Sequence, residues 1–352
     1  MEIGLVRSSS YSQLEYCTAS YFATYVLGHS QPTNKKALLG TVVHKVMEVL
    51  ANCKLMIQNN PKKKKFVFSD EELGDIKFTV EYLNSDKMLE SLLDKSYKHY
   101  TASASHLEFD EVEDKKFCND MIDAGITLAN GSYDPRNQDI FKAEQPFVFN
   151  FNFKNEKTGK IHDLMVRGTM DLVVREDKET LHLIDYKTGK RMDWANGTVK
   201  SFEKLYQDFQ LKLYYYAIRK LFPEYKSVIV TIIFLRDGGP FTLCFEDSIL
   251  EEVEQLLKDH MNKVLDNENP QPISEKRNDF KCRKLCHFYR NPLPGSNSNI
   301  PGCEYMEKFI NHYKAQGMPF DEISSMLRKK DFKVGFYAAP GSTDKDKGTN
   351  EE

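Results

Sequence analysis

The sequence predicts an α/β fold whose core runs helix, three strands, helix, strand, with a helical insertion after the first core helix and a C-terminal cysteine-bearing segment. Three observations carry this. Residues 36–55 hold apolar side chains at helical spacing, Leu39, Val43, Val46 and Leu50. Gln145–Phe153, Leu164–Val174 and Leu181–Lys187 then read as successive strands, the last two joined by the polar turn Arg175–Thr180. A long amphipathic helix over Phe202–Phe222 follows, and after it the continuously apolar run Ser227–Arg236, which reads as a central strand.

With 352 residues, 40% of them hydrophobic, the chain can bury one large core or two modest ones. Lysine and arginine number 49 against 52 acidic residues, a net charge of -3. A nucleic-acid partner would therefore be engaged through local basic patches and not through a global field. No secretory leader is evident and no apolar run reaches the roughly 18 to 20 residues that span a bilayer, so a soluble, intracellular, cytoplasmic protein without membrane contact is expected. In a reducing compartment seven cysteines are not a disulfide set, and the clustering of Cys282 with Cys286 points to metal.

In chain order, Ser8–Gly28 reads as one amphipathic helix with Leu14, Cys17, Tyr21 and Tyr25 on a stripe, closed by Gly28. Taken alone, Cys17 is a small buried hydrophobe. On the next helix Gly40, His44 and Glu48 form a second stripe at four-residue spacing, with Gly40 leaving room above His44 and Glu48 orienting its ring from below. Residues 61–133 open with four lysines, Lys62 to Lys65, and turn acidic and helical; the run reads as a solvated loop or a DNA contact. If the turn after the second core strand centres on Asp177 and Lys178, Asp171 falls opposite Ile184 or Asp185. Two facing carboxylates repel, and a divalent cation with open water positions, Mg2+ or Mn2+, removes that cost.

Asp185 and Lys187 are two apart on one strand and so project from the same face at its end, a carboxylate beside an ammonium. That pair suits metal-assisted phosphodiester chemistry: the carboxylate holds the cation and the lysine stabilises charge developing on phosphate. On the following helix Gln210, Tyr214 and Ala217 share a stripe, its tyrosines reading as core. Gly238 and Gly239 join the apolar strand to Phe241–Phe245, and Ser248 to Glu251 forms a capping box opening a helix to about Leu265. The organisation expected is residues 1–60 with two helices, 61–133 as the insertion, 134–270 as the core, 271–339 as the cysteine segment and 340–352 as a disordered tail.

Gly40-x-x-x-His44-x-x-x-Glu48, Gly168-x-x-Asp171, Asp185-Tyr186-Lys187-Thr188-Gly189 and Gln210-Leu-x-x-Tyr214 in this order resemble the PD-(D/E)xK nuclease superfamily, a restriction-endonuclease-like fold, and within it the RecB-type exonuclease branch. The resemblance implies a metal-dependent deoxyribonuclease, an exonuclease of DNA replication, recombination or repair. His44, Asp171 and Asp185 would be metal ligands, Tyr186 a main-chain ligand, Lys187 the catalytic lysine, Gln210 and Tyr214 the helix motif supporting the site, and Glu48 a supporting residue. The alternative is a DNA-end-binding subunit of a helicase-nuclease or CRISPR-adaptation assembly. No Gly-x-x-x-x-Gly-Lys-Ser/Thr motif is present, so any helicase would be a partner.

Cys17 ahead of Tyr21 and Tyr25, with Cys282, Cys286 and Cys303 after the core, is similar to the iron-sulfur nucleases of the AddB and CRISPR-adaptation kind. The resemblance implies a 4Fe-4S cluster on these four thiolates. Zn2+, with His287 replacing one cysteine, is the alternative, as is a set of unrelated buried cysteines. Cys53, Cys118 and Cys244 read as core.

Overall fold

The computed structural model describes residues 5–29, 33–193, 198–271, 282, 286, 288 and 302–327. His287 and the tail at 340–352 lie outside these residues. The chain divides into two compact units, one of Met1–Pro32, Phe149–Val166 and Glu254–Glu352, the other of Thr33–Val148 and Arg167–Val253.

The first unit begins with β1 (Leu5–Arg7), α1 (Ser8–Tyr16) and α2 (Thr18–Tyr21), which continues into a π-helical turn over Phe22–Val26. The single helix expected over Ser8–Gly28 is thus interrupted. Cys17 adopts extended backbone, and its Sγ accepts the Ser20 N–H at 3.4 Å as the cap of α2. Tyr21, Phe22 and Leu27 from this segment form a core with Val264, Phe309 and Ile323.

In the second unit α3 (Lys35–Asn59) is capped by Asn34, whose Oδ1 accepts the Ala37 N–H at 2.9 Å. It outruns the expected 36–55 at its C-terminal end because the apolar stripe continues to Ile57. The insertion departs from the helical reading at its start. A hairpin of β2 (Phe66–Asp70) and β3 (Gly74–Phe78) comes first, with Phe66 opposite Phe78 and their rings stacked at 5.1 Å. The alternation Phe66, Phe68, Asp70 is a period-two pattern five residues long, easily submerged beside a lysine run. Then come α4 (Val80–Leu83), α5 (Asp86–Ala102) and α6 (Glu111–Gly131).

Next are β4 (Ile140–Lys154), β5 (Ile161–Arg175) and β6 (Thr180–Lys187), then the short β7 (Met192–Asp193) and β8 (Thr198–Val199). Residues 140–148 of β4 and 167–175 of β5 belong to the second unit. The expected single helix over Phe202–Phe222 is two, α7 (Phe202–Tyr206) and α8 (Phe209–Leu221), because Asp208 stops one and caps the other through the Gln210 N–H at 3.0 Å. β9 (Ser227–Phe234) pairs parallel with β6, and β10 (Gly238–Cys244) antiparallel with β9, so β5, β6, β9 and β10 run side by side in that order within a six-stranded sheet in which β4 also pairs with β5, and β9 is an interior strand. A right-handed crossover through α8 is the ordinary way to make such a parallel pair. On the edge strand β10 Cys244 points outward and is exposed, against the expectation that it is core, whereas Cys53 and Cys118 are fully buried. In the first unit α9 (Ser248–Leu265) leads on to α10 (Cys303–Ala315) and α11 (Phe320–Leu327), with the first residues of α9 belonging to the second unit. Among the described residues no helix is long and apolar enough to cross a membrane.

Candidate active site

The site forms where β6 ends. Leu172 pairs with Ile184 and Arg175 with Leu181, and one step further along that register Asp171 stands beside Asp185. Asp171 Oδ2 accepts the Tyr186 N–H at 2.9 Å and lies 3.4 Å from His44 Nδ1. Asp185 is 1% exposed, and the Lys187 Nζ sits 3.0 Å from its Oδ1 and 2.7 Å from its Oδ2. Both carboxylate oxygens thus face the same ammonium, and Oδ2 is buried. Burial pushes the Asp185 carboxyl up to about 6; Lys187 opposes that shift and Asp171 adds to it. Burial alone would lower the Lys187 ammonium, but Asp185 and Asp171 hold it above its ordinary value.

Two further side chains complete a chain of polar contacts from the lysine. Gln210 Oε1 accepts from Lys187 Nζ at 3.1 Å, and Gln210 Nε2 donates to the Tyr214 hydroxyl at 2.8 Å. Four-residue spacing on α8 stacks the amide on the phenol. Tyr214 is buried, as a core reading requires, yet its hydroxyl belongs to this polar chain, and burial together with Asp185 and Asp171 keeps the phenol protonated. The ring of Phe147, edge-on to Tyr214 at 6.1 Å, fills the space that a side chain at Gly168 would need. Gly40 does not open room for His44. A Cβ there would meet Thr188 Oγ1 at 2.5 Å, so this glycine lets the loop after β6 lie against α3.

Glu144 is the residue that sequence reasoning missed. The expected strand began at Gln145, whereas β4 begins at Ile140 and carries Glu144 inside it with a left-handed φ of +42°. One ligand atom each from His44, Glu144 and Asp171 lie within 4.8 Å of one another. Burial first, then Asp171 and Glu48, push its carboxyl up to about 8. An acidic residue just before a strand was the available signal, but only the fold brings it to His44.

Glu48 faces the cavity that His44, Glu144 and Asp171 also line. Its carboxylate does not orient the histidine ring: Oε2 turns to Lys45 Nζ at 3.1 Å. The residues present suit a hard divalent cation, which is drawn to oxygen donors and a single imidazole. The raised carboxyls of Asp185 and Glu144 are what such a cation would relieve. Among the described residues, the His44, Glu144 and Asp171 group is the one set of three such side chains close enough for a metal ion.

A mixed sheet with two acidic residues and a lysine at the end of its inner strands, flanked by two helices, defines a nuclease of the phosphodiester-hydrolysing class. A family model of the PD-(D/E)XK nuclease superfamily matches residues 8–290, and the chain belongs to that family. Among solved structures it is similar to a protein of Eubacterium rectale designated an exonuclease, at 13% identity over 80% of this chain and 88% of that one, with a TM-score of 0.37. It is also similar to the protein SSO0001, at 15% identity over 64% of this chain and 88% of that one, with a TM-score of 0.27. Likenesses of that degree carry no argument here. No curated protein matches the sequence.

Proposed function

We propose that the chain is a divalent-metal-dependent deoxyribonuclease acting as an exonuclease in DNA replication, recombination or repair. The observation that supports it most is the buried Asp185, with Lys187 Nζ against both carboxylate oxygens and Asp171 on the neighbouring strand, next to the group of His44, Glu144 and Asp171. Asp171, Asp185, His44 and Glu144 would hold Mg2+ or Mn2+, with the Tyr186 carbonyl as the family's main-chain ligand; the cation supplies Lewis-acid activation of the phosphodiester and water. Lys187, kept charged by its two carboxylates, stabilises negative charge on the phosphate oxygens. Gln210 fixes the lysine's position and Tyr214 fixes Gln210.

End-labelled and circular DNA, single- and double-stranded, incubated with Mg2+, Mn2+ or EDTA tests the reading. Cutting should need the metal, start from ends, and fall about a hundred- to a thousandfold in Lys187→Ala. Cutting that persists in EDTA would overturn it, and binding of ends without cutting would establish the DNA-end-binding subunit instead. Phosphate contact would come from Lys187, Lys190 and Arg191, and from the exposed run Lys62 to Lys65. The Arg191 guanidinium lies over the Phe241 ring at 4.4 Å.

We further propose a 4Fe-4S cluster on Cys17, Cys282, Cys286 and Cys303. All four fall in the first unit, and Cys286 and Cys303 pack against the core built from Leu14, Tyr21 and Phe22. Extended backbone at Cys17 frees its sulfur from the helix and gives it an N–H donor, an arrangement that suits a ligating thiolate. Anaerobically purified protein should be brown and contain iron and acid-labile sulfide; colourless protein with stoichiometric zinc would replace the cluster by a zinc site.

A further inference from the structure

Beside the metal-site cavity Glu48, the last residue of the first motif, belongs to a charged cluster whose other members, Lys45, Asp70 and Glu72, lie outside the nuclease motifs. Lys45 is 7% exposed, and its Nζ reaches three carboxylates: Glu48 at 3.1 Å, Asp70 at 2.9 Å and Glu72 at 2.9 Å. The last two come from the turn of the inserted hairpin. Asp70 accepts the backbone N–H groups of Glu72 and Leu73 at 3.0 and 2.8 Å, which fixes that turn, and the Tyr100 hydroxyl donates to Glu72 at 2.6 Å. The ammonium is therefore anchored by the insertion and cannot follow Glu48 if that side chain moves. Glu48 lines the same cavity as His44, Glu144 and Asp171, and its place one turn along α3 from His44 brings it within reach of an ion there. Its carboxylate nevertheless belongs to the lysine.

We propose that Lys45, anchored by Asp70 and Glu72 of the insertion, is a positioning residue that holds Glu48 out of the coordination sphere of the catalytic metal. The inference rests on the metal-dependent reading of the site. Without the ammonium, Glu48 loses its partner, faces two more carboxylates at its back, and turns into the cavity as an additional oxygen ligand. The insertion thereby sets the number of carboxylates that the cation meets.

Calorimetric titration of the full chain with Mn2+ tests this, independently of turnover. Glu48→Gln should bind Mn2+ within twofold of wild type, and Lys45→Arg likewise. Lys45→Met should bind it at least fivefold more tightly, and the Lys45→Met/Glu48→Gln double variant should return to the wild-type affinity. A merely structural role for Lys45 would not produce that reversal. Tenfold weaker binding in Glu48→Gln would make Glu48 a ligand and overturn the proposal, as would unchanged or weaker binding in folded Lys45→Met. Should Lys45→Met fail to fold, the Glu48→Gln titration decides alone. Wild-type protein that takes up no Mn2+ and cuts no DNA would remove the metal-dependent reading itself, a result distinct from all of these.

Discussion

Glu144 holds its carboxylate on left-handed backbone, which costs a residue with a side chain about 1 to 3 kcal/mol and persists only where its surroundings impose it. The carboxyl ionises near 8, above the ordinary value of 4.5, so the metal-free protein should lose stability as pH rises from about 4.5 to about 8. Urea denaturation in EDTA at pH 5 and pH 8 should show that loss in wild type and less of it in Glu144→Gln. The same variant should bind Mg2+ about tenfold more weakly at pH 8, the side chain being a neutral amide. In the first unit His260 has the opposite sign. Tyr11 stacks on its ring at 4.9 Å and the Tyr21 hydroxyl lies 3.4 Å from Nε2; burial, then Lys263, lowers it to about 4 from 6.5. Its contribution is present above pH 6.5 and is lost as pH falls toward 4, since the unfolded chain takes up the proton first. Between pH 7 and 4.5, His260→Gln should lose about 2 kcal/mol less stability than wild type, read from urea midpoints.

At the scale of elements, α3 and the loop after β6 meet through a missing side chain. Gly40→Ala places a methyl 2.5 Å from Thr188 Oγ1, and overpacking of this kind costs about 1 to 3 kcal/mol. Thr188 follows Lys187 directly, so the displaced loop should lower cutting more than it lowers the melting temperature. Thr188→Ala removes the offending oxygen and leaves an ordinary contact of 3.4 Å to the Cβ. The Gly40→Ala/Thr188→Ala pair should therefore cut faster than Gly40→Ala alone; equal rates would place the defect elsewhere. The break at Cys17 is also an element-level effect. Helical spacing across Ser8–Gly28 describes which residues are apolar, but it does not show that the Ala19 N–H bonds to the Gln271 carbonyl at 3.0 Å and pulls the chain out of register with α1.

At the scale of the whole molecule, each unit has its own apolar core. Val42, Val46, Leu50, Met121, Ile122 and Ile184 belong to one, and Leu14, Phe22, Phe309, Ile323 and Leu327 to the other. The four proposed cluster cysteines lie in the unit with the second of these, whereas Cys53, Cys118 and Cys244 lie in the unit that holds Asp171, Asp185 and Lys187. Stripping iron or zinc should thus lower one thermal transition and leave the other in place, as scanning calorimetry before and after chelation would show. A single transition moved as a whole would mean that the two cores unfold together.

Much of this molecule was legible in one dimension because its chemistry is local. Asp185 and Lys187 share a face by the two-residue period of a strand, Gln210 and Tyr214 by the four-residue period of a helix, and a short turn brings Asp171 to Asp185. These relations need only a chain and its periods. What tertiary structure alone decided is long-range in sequence: Glu144 beside His44, Thr188 against Gly40, and Asp70 and Glu72 on Lys45. Each couples elements whose approach is set by packing, and packing depends on the shape of every side chain between them and not on any period in the sequence.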